Sequence, residues 1–191
     1  MYEIRDAGPA TLADFQHFFE HVGFADNPRW ASCWCHFPHA DHARIEWQAR
    51  GAAENRAASC ERLCDGRMRG LLAYAPDAAG RPAPIGWCNA GPRPLVDGLF
   101  DEPEPERSRI GSIVCFVIAP AWRRRGVAAA LLDAACARFA AQGLAVAEAY
   151  PLKDATSAAA MHFGPAAMFR AAGFQIHRED DDRWWMRRAL S

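Results

Sequence analysis

The sequence lacks the ordinary marks of a membrane-spanning or exported chain. Its N-terminus, Met-Tyr-Glu-Ile-Arg-Asp, has none of the basic, then apolar, then small-residue succession of a leader. No apolar run approaches the roughly 20 residues that a membrane span needs. Charge of one sign is also missing. The 22 Lys and Arg against 23 Asp and Glu leave a formal charge of −1, so no global field attracts nucleic acid or an anionic bilayer, and a basic ligand site has to be a local cluster. There is no internal repeat and no interdomain linker. The 7 cysteines cannot all pair within one chain, and several fall inside apparent strands or helices, which favours reduced thiols over a disulfide framework. The expectation is a soluble, cytoplasmic protein without a nucleic-acid or membrane partner; its oligomeric state stays open, a homodimer included.

What is present suits one domain over residues 1–191, with 51% hydrophobic residues to fill a core. After a short strand, Thr11-Leu-Ala-Asp14 offers a helix start before Phe15, Phe18, Phe19 and Val22, which share a face at helical spacing. From Asp41 to Cys64 the chain is polar, alanine-rich and free of proline, which predicts a helix or a pair broken at Gly51. Arg67–Ala75 and Ile85–Ala90 read as a hairpin around the Pro76–Pro84 turn, and Asp101–Arg107 as an acidic loop. The apolar run Ile113–Ile118 is a core strand, and Val127, Leu131, Ala135 and Phe139 mark a helix that buries one face. Leu144–Tyr150 follows as a strand, so the strand-helix-strand unit implies parallel pairing. Gly164-Pro165 opens a last helix, Gly173 stops it, and Asp180–Asp182 turns one closing strand back into another.

The junction Val117-Ile-Ala-Pro-Ala-Trp-Arg-Arg-Arg-Gly-Val-Ala-Ala-Ala-Leu-Leu132 carries the most chemistry. Pro120 ends the strand, and Gly126 lets the backbone approach a ligand as the helix begins. Unpaired N–H groups at a helix start, with the positive end of its dipole, suit phosphate or pyrophosphate. A Walker loop needs a Lys-Ser/Thr pair and a dinucleotide fingerprint needs three spaced glycines; this loop has neither. With Arg123, Gly126 and Ala128 at relative positions one, four and six, the segment resembles the Arg/Gln-x-x-Gly-x-Gly/Ala motif of the GCN5-related N-acetyltransferase (GNAT) family. The ending Met168-Phe-Arg-Ala-Ala-Gly-Phe174 resembles that family's Tyr-x-x-x-Gly-Phe, and the order of elements is similar along most of the chain.

The resemblance implies an α/β (α+β) fold of the GNAT type, a central mixed twisted sheet of about six to seven strands flanked by helices. It implies acetyl-CoA as acetyl donor, with the main chain of Phe116, Val117 and Ile118 pairing with pantetheine. Arg123, Arg124, Arg125, Gly126, Val127, Ala128 and Ala129 would wrap the pyrophosphate. The tyrosine that serves many members as acid for the thiolate is here Phe169, which has no proton to give. Strand alternation puts Glu148 and Tyr150 on one face and the neighbouring alanines on the other, which makes Glu148 a candidate base and Tyr150 a candidate acid, against the plainer reading of Glu148 as an ion-pair partner. His162, near the expected thiol, is a weaker candidate for proton transfer against a plain loop histidine, and Cys115, on the central strand, for an acetyl-cysteine intermediate against a plain buried thiol.

Trp30, Trp34 and Trp87, with Cys33, Cys35 and Cys88, are candidate walls of an acceptor pocket, since aromatic rings hold an amine-bearing ligand by apolar and cation–π contact. Large rings on strands more commonly pack inside. Cys33, Cys35, His36, His39 and His42 raise zinc as a rival, but Cys-x-Cys is tighter than usual ligand spacing and no metal is expected. The reading is an N-acetyltransferase moving acetyl from acetyl-CoA to a primary amine of a small molecule or peptide, by direct transfer in a ternary complex. The alternatives are a CoA-binding sensor with lost catalysis and a zinc-stabilised interaction domain.

Overall fold

The computed structural model describes residues 2–100, 104–154 and 160–190. Seven strands, β1 (Glu3–Asp6), β2 (Gly70–Pro76), β3 (Pro82–Pro92), β4 (Ile110–Ile118), β5 (Val146–Ala149), β6 (Gln175–Glu179) and β7 (Trp184–Ala189), form one open sheet in the order β1-β2-β3-β4-β5-β7-β6. Neighbours run antiparallel except β4 and β5, which are parallel, as the intervening helix requires. The helices are α1 (Leu12–His17, continued in wider turns through Val22), α2 (Ala52–Asp65), α3 (Val127–Ala141) and α4 (Ala166–Ala171). The mixed sheet flanked by helices agrees with the expected fold class. Among the described residues no helix is long and apolar enough to cross a membrane.

Alternation along the strands divides the core. On one face Ile113, Phe116, Ala147 and Ala149 meet Leu131, Leu132, Ala135 and Phe139 of α3 and Phe169 of α4. On the other, Trp87, Leu72 and Tyr74 meet Phe15, Phe18 and Phe19 of the first helix, together with Trp34. The small residues of β4 and β5 let α3 lie close against the sheet. Gly111 shows how close: a Cβ added there would stand 2.3–2.5 Å from the Phe139 ring.

The segment 41–64 departs from a continuous helix. Gly51 is the N-cap of α2, with the Glu54 carboxylate accepting from its N–H at 2.8 Å. Before it the chain makes only turns and a short 3-10 helix, Trp47–Ala49, while Trp47 packs edge-on against Phe37. β3 extends beyond the Ile85–Ala90 core on both sides because β2 and β4 pair with its flanks. Of the acidic loop expected at Asp101–Arg107, residues Asp101–Pro103 lie outside the described residues, and Arg107 begins a 3-10 turn that enters β4.

The contact at Gly111 yields a stability test. Gly111→Ala is expected to cost about 1–3 kcal/mol by overpacking against Phe139, read as a fall of several degrees in Tm. An unchanged Tm would mean that α3 can withdraw from the sheet without penalty.

Candidate active site

The site begins where β4 leaves β5. The two strands pair only from Ile110↔Val146 to Ile113↔Ala149, whereas β4 stays paired with β3 as far as Ile118. Register with β3 jumps from Ile113↔Ala90 to Cys115↔Asn89, so Val114 is the extra residue of a β-bulge. Beyond that bulge, one edge of β4 has no strand partner among the described residues. The gap opens into a cavity of about 760 Å³ that includes Phe116, Val117 and Ile118 in its lining.

The adjoining wall is the turn into α3. Arg123, Arg124, Gly126, Val127, Ala128 and Ala129 all line the same cavity. Arg124 and Gly126 adopt left-handed φ values of 58° and 81°, which fold the chain sharply into the helix. The first bond of α3 runs from Ala130 N–H to Gly126 O and no side chain caps the helix, so the N–H groups of Val127 to Ala129 have no partner within it. A Cβ at Gly126 would meet nothing within 4 Å; the glycine there serves backbone conformation and open approach.

Not every arginine faces the ligand space. The Arg123 guanidinium is held by Asp26 at 2.5 and 3.0 Å and donates to Ile118 O at 3.1 Å, tying the loop after α1 to the turn. Arg125 is absent from the lining; its guanidinium lies 5.5 Å from the Trp122 ring centre, and its carbonyl accepts from Tyr2 Oη at 2.7 Å.

The acceptor candidates separate. Trp30, Cys33 and Cys35 line the cavity, and Trp30 is 36% exposed. Trp34, Trp87 and Cys88 are buried in the core and do not reach the lining. Behind Cys35, Asn89 Nδ2 donates to His39 Nε2 at 2.9 Å, and His39 Nδ1 donates to Leu95 O at 2.8 Å. Among the described residues no three His, Cys, Asp or Glu side chains are placed to hold a metal ion. Burial holds the His36 and His39 imidazoles down to about 4, with the nearby Arg62 charge acting in the same direction.

Glu148 and Tyr150 do share a face, as alternation requires, but they are not on the cavity. Both are fully buried. Arg93 donates to Glu148 Oε1 at 2.6 Å, Arg187 to Oε2 at 2.5 Å, and Tyr150 Oη to Oε1 at 2.7 Å. Tyr150 Oη also lies 2.7 Å from Ser112 Oγ. Burial and the Glu148 charge push the Tyr150 pKa well above its usual value, so its proton is held. The base and acid roles drawn from the strand pattern therefore meet a closed, doubly ion-paired network. Phe169 is likewise buried, against Phe116 and Phe174.

Comparison with known proteins bears on this geometry. The model of the acetyltransferase (GNAT) family matches residues 27–164, most of the chain and all of the bulged strand and its helix. The chain belongs to the GNAT acetyltransferases. A phosphinothricin acetyltransferase from Sinorhizobium meliloti, solved with AcCoA, is similar in fold at 20% identity and a TM-score of 0.56, covering 100% of this chain and 89% of that one. A GCN5-related N-acetyltransferase from Kribbella flavida matches at 18% identity and a TM-score of 0.58, covering 99% and 98%. The PaiA N-acetyltransferase of Thermoplasma acidophilum, solved with coenzyme A, matches at 12% identity and 0.58, covering 99% of each. No curated protein sequence matches.

Reasoning from sequence missed several residues of this cavity and of the network behind it. Phe24, Arg29, Met161 and Met168 line the cavity without any spacing signal of their own. Arg93 and Arg187 lie 55 and 39 residues from Glu148, and only the sheet order brings them together.

Two outcomes follow for the acetyltransferase. Glu148→Ala removes the buried carboxylate that Arg93 and Arg187 share, while Arg187 keeps Glu104, and is expected to lower stability by about 3–5 kcal/mol in denaturant unfolding; a loss under about 1 kcal/mol would show the network to be unimportant. His36 and His39 titrate near 4 in the folded chain against an ordinary 6.5, so the unfolded chain binds more protons between these values. Stability is then full above pH 6.5 and declines as pH falls through that window. His39→Gln should flatten that decline; an identical slope in parent and variant would contradict it.

Proposed function

We propose that residues 1–191 act as one acetyl-CoA-dependent N-acetyltransferase domain whose cofactor lies in the cavity between the open edge of β4 and the start of α3. The observation that carries this reading is their meeting on one surface: a strand edge with no strand partner among the described residues and an uncapped helix N-terminus both border the cavity. The residues fit the cofactor. The main chain of Phe116, Val117 and Ile118 offers amide partners to a pantetheine arm. The N–H groups from Val127 to Ala129 and the Arg124 side chain offer donors and charge to a pyrophosphate. Arg123 acts through its backbone and through its clasp on Asp26, and Arg125 by fixing the turn.

When bound, acetyl-CoA supplies an acyl group on a thiolate leaving group. The chain supplies orientation, a largely apolar wall that excludes water, and proton handling. Trp30, Cys33 and Cys35 border the space proposed for the acceptor, a primary amine of a small molecule or peptide. His162, on the cavity wall, is the proposed proton-handling group, because Phe169 has no hydroxyl and Tyr150 is closed off. Glu148 and Tyr150 are assigned instead to positioning: with Arg93 they hold β5 where β4 departs from it. The direct route, with both substrates bound together, suits a single continuous cavity.

Phe169 supports a second reading, a CoA-binding module with little turnover. Gly126→Glu is expected to weaken acetyl-CoA binding at least about 100-fold by calorimetry, with the fold retained. Unchanged affinity would displace the cofactor from this loop. Turnover on a panel of primary amines, with His162→Asn lowering kcat and leaving the KM for acetyl-CoA near its parent value, supports the transferase. Tight binding with no turnover on any amine favours the module.

A further inference from the structure

Three thiols, Cys33, Cys35 and Cys115, border the cavity, and none of their sulfurs takes part in the proposed chemistry. Cys115 stands in β4 directly after the bulge, in register with Asn89 of β3. The Asn89 amide in turn lies 3.3 Å from Cys35 Sγ. Asn89 thus sits beside both cysteines, through its amide at Cys35 and through strand register at Cys115, and the two, 80 residues apart by number, share one core cluster and one cavity wall. The backbone that delivers Cys35 is strained: Trp34 and Cys35 both adopt left-handed φ, 49° and 53°, where residues with a Cβ are uncommon. Ser59 Oγ donates to Trp34 O at 2.9 Å and holds that turn in place.

The two thiols are electrostatically unequal. Burial opposes ionisation of Cys35, yet interaction with the Cys115 thiol and the Asn89 amide carries it below the ordinary thiol value. Cys115 is pushed well up, first by Cys35 and then by burial, and Cys33 rises to about 11 through burial and the Cys35 charge. An ionisable thiol beside a retained proton is the arrangement that thiol oxidation exploits.

We propose that Cys35 and Cys115 form a reversible dithiol–disulfide pair in the cavity wall, a modification site for oxidants of the peroxide class. The Cys35 thiolate attacks one peroxide oxygen, the O–O bond breaks, and the departing hydroxide takes a proton and leaves as water. Cys35 is then a sulfenic acid. The Cys115 sulfur attacks the Cys35 sulfur, the S–S bond forms, the S–O bond breaks, and the hydroxyl leaves with the Cys115 proton as a second water. In sum, two thiols lose two electrons and one peroxide becomes two waters. A small-molecule thiol reverses the process by exchange.

The test is stoichiometric hydrogen peroxide on the full chain, followed by unfolding, alkylation and peptide mapping without reductant. The expected product is a linked pair of peptides bearing Cys35 and Cys115, cleaved by dithiothreitol. Alkylation of both cysteines, with oxidation confined to Cys33, Cys60 or Cys64, overturns the proposal. In Cys115→Ser, Cys35 is expected to be trapped by dimedone as the sulfenic acid; the parent's map decides if that variant does not fold. The pairing rests on the geometry of the wall and not on the cofactor reading. Acetyl-CoA is expected to slow linkage at least tenfold; equal rates with and without it would count against the cofactor's placement while leaving the pair intact.

Discussion

The divergence of β4 from β5 is the constraint on which the rest of the structure depends. Parallel pairing stops at Ile113↔Ala149, and the bulge at Val114 turns the remainder of β4 along β3 alone. Backbone amide and carbonyl groups left without a strand partner are costly unless water or a ligand satisfies them. A sheet that opens in its middle, beside a helix start with its own unpaired N–H groups, concentrates that demand on one cavity. The left-handed residues Arg124 and Gly126 complete it by turning the chain from strand to helix without a capping side chain.

Keeping the sheet open at that point needs something rigid behind it. The Arg93–Glu148–Arg187 assembly, with Tyr150 and Ser112, ties the segment after β3, the strand β5 and the strand β7 together below the split. Arg93 is also stacked 3.7 Å from the centre of the Phe100 ring, so its charge is enclosed by aromatic as well as ionic partners. Buried charges are expensive to desolvate, and their value lies in fixing one geometry more than in net stability. On the opposite rim, the Arg123–Asp26 clasp fixes the loop that carries Trp30 and Cys33.

Much of this was legible in the sequence. The four-residue recurrence from Val127 to Phe139, the Pro120 stop and the Gly126 turn gave the motif helix and its entry, and the alanine alternation gave the face of β5 that meets it. Glu148 and Tyr150 were correctly placed on one face. An ion-pair role for Glu148 was open from its place on the strand, but its partners were not legible, because nothing local announces that arginines far along the chain will close on it. Trp34 and Trp87 look like ligand walls in a one-dimensional reading, yet the sheet's second face needs large rings to pack against Phe15 and Phe19. The start of α2 was marked by Gly51, whereas the turns before it follow from packing around Phe37 that spacing does not encode.

The most direct test of the account is amide hydrogen exchange with and without acetyl-CoA. Slowed exchange at residues 116–118 and 127–129, with little change along β1 and β2, is the predicted result. Protection confined to the cleft beside Asp6, Arg69 and Arg138, at the other end of α3, or no protection at all, would contradict it.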